Sequence, residues 1–198
     1  IASGAAWTAV QAVLAHPELE LRGFHSHIGS QIFGTESFQL AADRLIALLA
    51  KYRDTYSKEL PELDLGGGYG IAYLPEDETL EPGEVMPALR SAVTAACEKH
   101  KLNIPVISIE PGRAIVGPTT FTLYEVGTTK DVVLEDGAIR RYISVDGGMS
   151  DNIRPSLYDA QYHAVIAQRS SIAKSISSRV VGKHCETGDI VIRDIALP

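Results

Sequence analysis

The chain has 198 residues, 45% of them hydrophobic and 22% charged, which is the composition of an ordinary globular protein with one or two hydrophobic cores. Its formal net charge of -7 argues against a nucleic-acid partner, because phosphate binding needs a basic surface stripe. No apolar run approaches the roughly 20 residues needed to cross a bilayer, and no signal peptide opens the sequence, so we expect no membrane partner.

The cysteines and the chain ends lead to two further expectations. Cys97 and Cys185 are too few for a disulfide framework and lack metal-ligand spacing, which favours a reducing, cytoplasmic setting and no metal site. The chain begins at Ile1 without an initiator Met, and Ile190–Pro198 is predicted as a strand and the start of a loop with no pairing partner. We therefore expect the sequence to be a piece of a longer protein.

The first part of the chain alternates strands and helices. The predicted elements are a strand at Leu19–His27, a helix over 36–53, a strand at Leu63–Leu65, a helix over 84–100 and a strand at Pro105–Glu110. This order implies parallel pairing, because each helix must cross over the sheet. Polar clusters after each strand are typical of a TIM-type (β/α)8 barrel, whose active site lies at that face, although a doubly wound sheet would show the same local pattern.

The second part of the chain is predicted to be β structure in an antiparallel style, with a boundary near residue 117. Its expected strands are Phe121–Leu134, Arg141–Val145, Arg179–Lys183 and Ile190–Asp194, with turns at Asp136-Gly137 and Thr187–Asp189 and an exposed loop over 166–178. A whole barrel takes about 250 residues. We therefore predict an α/β fold in which residues 1–117 form the C-terminal part of a barrel and residues 118–198 form part of a β-sandwich or β-barrel domain.

Three polar clusters follow the strands of the first part. The segment His25–Gln31 offers imidazole rings for an aromatic ligand and a hydroxyl for a phosphate, while zinc binding lacks an apparent third ligand. The run Gly66–Gly70 can bring backbone N–H groups close to an anion, although a simple tight turn explains it equally well. In Glu110–Arg113, a carboxylate can keep a pyridine nitrogen protonated and an arginine can grip a phosphate or carboxylate; the alternative is a loop salt bridge.

The second part adds two more polar clusters. Asp146–Pro155, with Tyr158 close behind it, reads as a polar turn within β surroundings, and an ordinary solvated turn is the simpler interpretation. His184–Asp189 places Cys185 between a histidine and a glutamate beside a turn, which is unusual company for a cysteine of the core.

Taken in order, these clusters resemble one family. The segments are HSHIGSQ, LDLGGGYG, EPGRAIVGP, SVDGGMSDNIRPSLY and GKHCETGD. They resemble the diaminopimelate decarboxylase family, within the pyridoxal-phosphate (PLP) fold type shared by ornithine and arginine decarboxylases and alanine racemase. The resemblance runs from about Ile1 to the C-terminus and is closest to actinobacterial sequences. HCETGD favours this family over the ornithine enzymes, in which the equivalent cysteine is followed by Asp.

The resemblance implies a role for each matching residue. His27 would stack on the pyridine ring, and Glu110 would pair with the ring nitrogen. The phosphate would be surrounded by Ser30, Gly66, Gly67, Gly68 and the backbone of Glu110, Pro111, Gly112 and Arg113. The substrate carboxylate would be held by Arg113, Arg154 and Tyr158, and the distal ammonium of meso-diaminopimelate by Glu186. Cys185 would donate a proton after CO2 leaves, reaching in from the partner subunit of a homodimer.

The implied reaction is the PLP-dependent decarboxylation of meso-2,6-diaminopimelate to L-lysine, the last step of lysine biosynthesis. In this family the imine-forming lysine lies upstream of the matched segments and a further substrate-contacting tyrosine lies downstream, so we assign no such lysine and expect no activity from this stretch alone. Two alternatives stay open. One is a sibling decarboxylase acting on ornithine, arginine or carboxynorspermidine, and the other is a non-catalytic regulatory relative.

Overall fold

A computed structural model describes residues 3–198, which divide into two compact units. The first unit holds the residues up to Ile71 together with Glu78–Thr119, and the second holds Ala72–Asp77 and Thr120–Pro198. In the first unit the elements are α1 (Ala5–Leu14), β1 (Gly23–His25), α2 (Glu36–Tyr56), β2 (Glu62–Asp64), α3 (Pro82–His100), β3 (Val106–Ser108), α4 (Gly112–Val116) and a 3-10 turn at Gly117–Thr119.

The sheet of the first unit has the order β1-β2-β3, and both of its pairings are parallel, as predicted. The first strand is shorter than expected, since Leu19 lies outside it and is 54% exposed. Its ladder with β2 runs only from Gly23, which pairs with Glu62, to His25, which pairs with Asp64. The predicted strand Leu19–His27 is therefore too long at both ends, because β1 spans only Gly23–His25.

Helices α2 and α3 cover this sheet with the apolar faces that their spacing predicted. Their buried side chains form one core with those of β2; the largest fully buried members are Phe38, Ile46, Leu63, Leu65, Val85, Val93 and Cys97. Helix α3 begins two residues earlier than predicted, at Pro82, because a proline is well tolerated in the first turn of a helix. It ends before Lys101, which adopts a left-handed conformation with φ 54°.

Tyr69 carries an unusual cost within this core. Its ring stacks on Phe38 at 4.7 Å and is 6% exposed, and its hydroxyl has no hydrogen-bond partner among residues 3–198. Burial, aided by the nearby Asp64 carboxylate, raises the pKa of Tyr69 to about 12. A buried hydroxyl without a partner destabilises the folded state by roughly 1–3 kcal/mol. We therefore expect an apolar ring of the same shape at position 69 to give a more stable protein.

Tyr69→Phe is expected to stabilise the protein by about 1 kcal/mol at pH 7. The gain should be larger at alkaline pH. Tyr69 ionises near pH 10 in the unfolded chain, but its pKa in the folded protein is about 12, so the wild-type protein loses stability as the pH rises from 10 towards 12. Urea unfolding at pH 7 and pH 11 measures both effects. Tyr56→Phe, at a side chain 39% exposed, is the matched control, and a Tyr69→Phe protein less stable than wild type at pH 7 would contradict this account.

The second unit is a four-stranded mixed sheet with the order β4-β5-β6-β7 and one short helix. Its elements are β4 (Val126–Val133), β5 (Ile139–Val145), α5 (Arg154–Tyr158), β6 (Ile176–Val181) and β7 (Ile190–Leu197). Its small core is formed by Val145, Val180, Val191 and Ile192.

The β4–β5 hairpin confirms the predicted turn at Asp136-Gly137. Gly137 has φ 82°, and its N–H donates to the carbonyl of Leu134 at 2.9 Å. The strand before the turn is shorter than predicted, since β4 begins at Val126 and not at Phe121.

Three predictions about the second unit are wrong. Strands β5 and β6 pair in parallel and not antiparallel, because the segment 146–175 between them is long enough to return the chain to the same end of the sheet. The segment Ile190–Pro198 does have a partner, since β7 pairs antiparallel with β6 along its length. The predicted loop over 166–178 is also too long, because β6 begins at Ile176 and Ser178 is fully buried.

Both cysteines are free thiols, with Cys97 buried and Cys185 exposed. Within residues 3–198, no helix combines the length and the apolar character that crossing a bilayer requires.

Candidate functional site

The three polar clusters of the first unit follow the carboxyl ends of β1, β2 and β3. Parallel pairing puts these ends at one edge of the sheet, and backbone hydrogen bonds continue past the strands: the N–H of Ser26 donates to Asp64, that of Leu65 to Ser108, and that of Glu110 to Gly66, at 2.8–3.2 Å. The predicted cofactor residues of these clusters therefore come together at one edge.

The glycine run after β2 is explained by the closeness of its neighbours. A Cβ at Gly67 would collide with the carbonyl oxygen of Glu110, and one at Gly68 would collide with that of Gly29. Gly66 and Gly68 also have φ angles of 70° and 101°, which side chains rarely adopt. Glycine at these positions thus lets the three clusters approach each other.

Gly67→Ala is expected to destabilise the protein by about 3 kcal/mol, because the added methyl group meets backbone that cannot rotate away. Gly67 has no positive φ, so the clash alone is tested. Gly83→Ala is the control, since nothing lies within 4 Å of its Cβ position and the change should be neutral or slightly stabilising. Urea unfolding of both variants checks this, and equal midpoints would refute the explanation.

His27 and Ser30 lie on the exposed side of this edge. Nδ1 of His27 accepts a hydrogen bond from the N–H of Gly67 at 3.4 Å. Ser30 is exposed. Gln31, to which the sequence assigned no role, holds the loop in place: its amide donates to the carbonyl of Ile71 at 3.0 Å and accepts from the N–H of the same residue at 3.2 Å.

Glu110 is held by a histidine that the sequence left without a role. Nε2 of His25 lies 3.1 Å from Oε2 of Glu110, and Asp64 accepts the N–H of Gly66 at 2.8 Å. The polar atoms of His25, Asp64 and Glu110 lie within 4.8 Å of one another, a possible metal triad that sequence spacing did not reveal. The hydrogen bonds account for this closeness, and we assign no metal to it. Pro111, Gly112 and the half-buried Arg113 continue into α4.

Arg154 and Tyr158 lie together in the second unit. They are the first and last residues of α5, and the guanidinium of Arg154 lies 5.5 Å from the centre of the Tyr158 ring. Nε of Arg154 also donates to the hydroxyl of Tyr162 at 3.2 Å. Tyr158 is 65% exposed, so its side chain is accessible to a ligand.

Cys185 and Glu186 are exposed on the loop between β6 and β7, whose turn at Thr187–Asp189 is confirmed. This loop contacts the turn that follows β5, where Nε2 of His184 lies 2.8 Å from Oγ of Ser150. The buried Asp189, which the sequence placed in the motif without a role, joins the same two loops. No local pattern singles Asp189 out, because its contact with Met149 spans 40 positions of the chain.

Two family models together match the chain. The model described as "Pyridoxal-dependent decarboxylase, pyridoxal binding domain" matches residues 2–117, and "Pyridoxal-dependent decarboxylase, C-terminal sheet domain" matches residues 114–198. The chain belongs to the pyridoxal-dependent decarboxylase family. The family assignment and the α/β fold class inferred from the sequence are confirmed.

Curated relatives show which members of this family the chain resembles. The chain is 50% identical over its whole length to the diaminopimelate decarboxylases of Corynebacterium efficiens and Mycobacterium tuberculosis strain H37Rv, covering 43% and 45% of those proteins. It is 45% identical to that of Bacillus subtilis, over 96% of the chain and 42% of the relative. The chain thus spans less than half the length of these curated relatives, and its likeness to actinobacterial sequences is confirmed.

Solved structures show the same fold. The diaminopimelate decarboxylase of M. jannaschii in complex with L-lysine has a TM-score of 0.86 at 26% identity, covering the whole chain and 43% of that structure. The Helicobacter pylori enzyme, also complexed with L-lysine, has a TM-score of 0.77 at 28% identity, over 97% of the chain and 45% of that structure. A lysine/ornithine decarboxylase from Vibrio vulnificus shares the fold at 20% identity, with a TM-score of 0.76 over 97% of the chain and 49% of that structure.

The edge of the first unit fits the cofactor that gives the family its name. Within the part of the chain that the structure describes, Oε1 of Glu110 accepts no hydrogen bond, so it is available to a protonated ring nitrogen. The backbone N–H of Gly68 has no acceptor among the same residues, and the hydroxyl of Ser26 is buried without a partner. These groups could bind the ring nitrogen and the phosphate of pyridoxal phosphate.

Proposed function

We propose that the whole protein to which this chain belongs is a PLP-dependent decarboxylase that converts meso-2,6-diaminopimelate to L-lysine, the last step of lysine biosynthesis. The observation that carries the proposal is the meeting of His27, the glycine run and Glu110 at one edge of the parallel sheet. The choice of substrate is supported by the relatives at 50% identity, which are diaminopimelate decarboxylases.

In this proposal the first unit binds and orients the cofactor. When bound, pyridoxal phosphate supplies an electron-withdrawing ring that makes the loss of CO2 from an amino acid feasible. Glu110, held at Oε2 by His25, would use Oε1 to keep a proton on the ring nitrogen, and His27 would lie against the ring face. The phosphate would be bound by Ser30 and by backbone groups of Gly66, Gly67, Gly68, Pro111, Gly112 and Arg113.

The second unit would bind the substrate and complete the reaction. Arg154 and Tyr158, already in contact, would grip the substrate carboxylate together with Arg113. Glu186 would bind the distal ammonium, and Cys185 would deliver a proton to Cα after CO2 leaves. Both lie on an exposed loop, as a pair that reaches into the active site of a partner subunit must. We therefore propose a homodimer with active sites at its interface, located in the cytoplasm.

A substrate panel tests this assignment. The purified, PLP-loaded whole protein is assayed for CO2 release with meso-diaminopimelate, ornithine, arginine and carboxynorspermidine at equal concentrations. We expect meso-diaminopimelate to give the highest kcat/KM and L-lysine to be the product. Faster turnover of another substrate would replace the assignment by a sibling decarboxylase, and no turnover of any of them would favour a regulatory relative.

A further inference from the structure

The loop that carries Cys185 and Glu186 is tied to a neighbouring loop by one buried side chain. Asp189 is 3% exposed. It is the last residue of the loop over 182–189, and its side chain reaches the turn over 146–152. Its Oδ2 accepts the N–H of His184 at 2.7 Å, and its Oδ1 accepts the N–H of Met149 at 2.6 Å. Each carboxylate oxygen therefore holds a different loop.

The surroundings of Asp189 are shaped to its carboxylate. A Cβ at Gly148 or at Gly182 would collide with the carboxylate oxygens, so both positions leave room for this group and no more. Backbone bonds run alongside, with the N–H of Gly182 donating to Asp189 at 2.8 Å and that of Lys183 donating to Gly147 at 2.9 Å. The two loops are thus joined at several points around one acceptor.

The geometry requires two acceptors at this position. Asparagine has the same shape as aspartate but only one oxygen, so one of the two backbone N–H groups would face an NH2 group. Because the site is buried, water cannot easily replace the lost acceptor. Whichever N–H group loses its acceptor, the tie between the two loops is weakened, and Cys185 directly follows His184 in one of them.

We propose that Asp189 is a positioning residue that fixes Cys185 for proton delivery by tying its loop to the turn at Met149. This inference rests on the proposed function, since it assumes that Cys185 is the proton donor. Asp189 itself does not touch Cys185 in any contact that the structure shows; it acts through the backbone of His184.

The test is a double-mutant cycle in the PLP-loaded whole enzyme, with kcat for meso-diaminopimelate expressed per bound PLP. Asp189→Asn should lower kcat about 10²-fold, the scale of a displacement near 1 Å, and should raise the solvent deuterium isotope effect on kcat as proton delivery becomes slower. Combined with Cys185→Ala, it should add little further loss, because both changes remove the same step.

Controls and alternative outcomes separate this inference from the proposed function. Asp131→Asn, an exposed aspartate on β4, should leave kcat and the isotope effect unchanged. If Asp189→Asn fails to fold, Gly182→Ala, whose methyl group pushes on the carboxylate, should show the same dependence on Cys185. Losses that multiply in the double variant, or wild-type kcat in Asp189→Asn, would overturn this inference alone. Wild-type kcat in Cys185→Ala would overturn the proton-donor role and this inference with it.

Discussion

Replacing Cys185 by alanine is expected to lower kcat by about 10²- to 10⁴-fold, the range that a positioned proton donor contributes. Bound PLP should be unaffected, because in the proposal the thiol acts only after the cofactor has bound and is not one of the groups that hold it. Steady-state kinetics and the absorbance of the bound cofactor, recorded on the same whole protein, measure both quantities.

Cys97→Ala is the matched control for this experiment. Cys97 is buried in the core of the first unit, and burial raises the pKa of its thiol, so it is an inert structural residue. Its replacement should cost some stability and leave kcat per folded molecule unchanged. If Cys185→Ala instead loses its PLP while Cys97→Ala keeps it, the role of Cys185 is structural and the proposed proton donor is wrong.

Replacing Glu110 by glutamine should lower kcat by about 10²- to 10³-fold, the loss seen when one preorganised polar group of an active site is removed. A neutral amide keeps the shape of the side chain and can still contact His25, but it cannot hold a proton on a ring nitrogen by charge. The change therefore tests the charge of Glu110 separately from its packing. PLP affinity and kcat are measured side by side.

Glu62→Gln is the control for the charge of Glu110. Glu62 begins β2, at the end of the sheet opposite to the glycine run, and pairs with Arg22 at 2.9 Å on the surface. Its replacement should leave kcat unchanged, because Glu62 lies away from the proposed site and an exposed ion pair contributes little to stability. A Glu110→Gln enzyme that keeps more than half of the wild-type kcat would exclude a charged partner for the ring nitrogen at this position.

Helices α2 and α3 were the most predictable part of the fold, whereas α1 and α4 were not predicted. The apolar spacing in α2 and α3 indicates directly which face is buried, and the alternation of strands with helices predicted parallel pairing. The length of β1 was not predictable in this way, because it depends on which residues of β2 pair with it. The parallel pairing of β5 and β6 was missed because strand direction depends on where a long connection returns, which local spacing does not record.

The candidate site likewise has a part that could be predicted from local sequence and a part that could not. The residues that touch cofactor or substrate in the proposal lie in motifs that resemble a family, and they could be named from the sequence. The residues that hold them, His25 beside Glu110 and Asp189 beside Met149, act across 85 and 40 positions of the chain. Such contacts follow from tertiary packing, and no local pattern indicates them.

Removal and return of the cofactor tests the central claim most directly. The whole protein is stripped of PLP, dialysed, and assayed for CO2 release from meso-diaminopimelate before and after PLP is added back. We predict that activity is lost on removal and returns on addition, with one PLP bound per chain and L-lysine as the product. Undiminished CO2 release from the stripped protein, or none after PLP has bound, would contradict the assignment of this chain to a working PLP-dependent diaminopimelate decarboxylase.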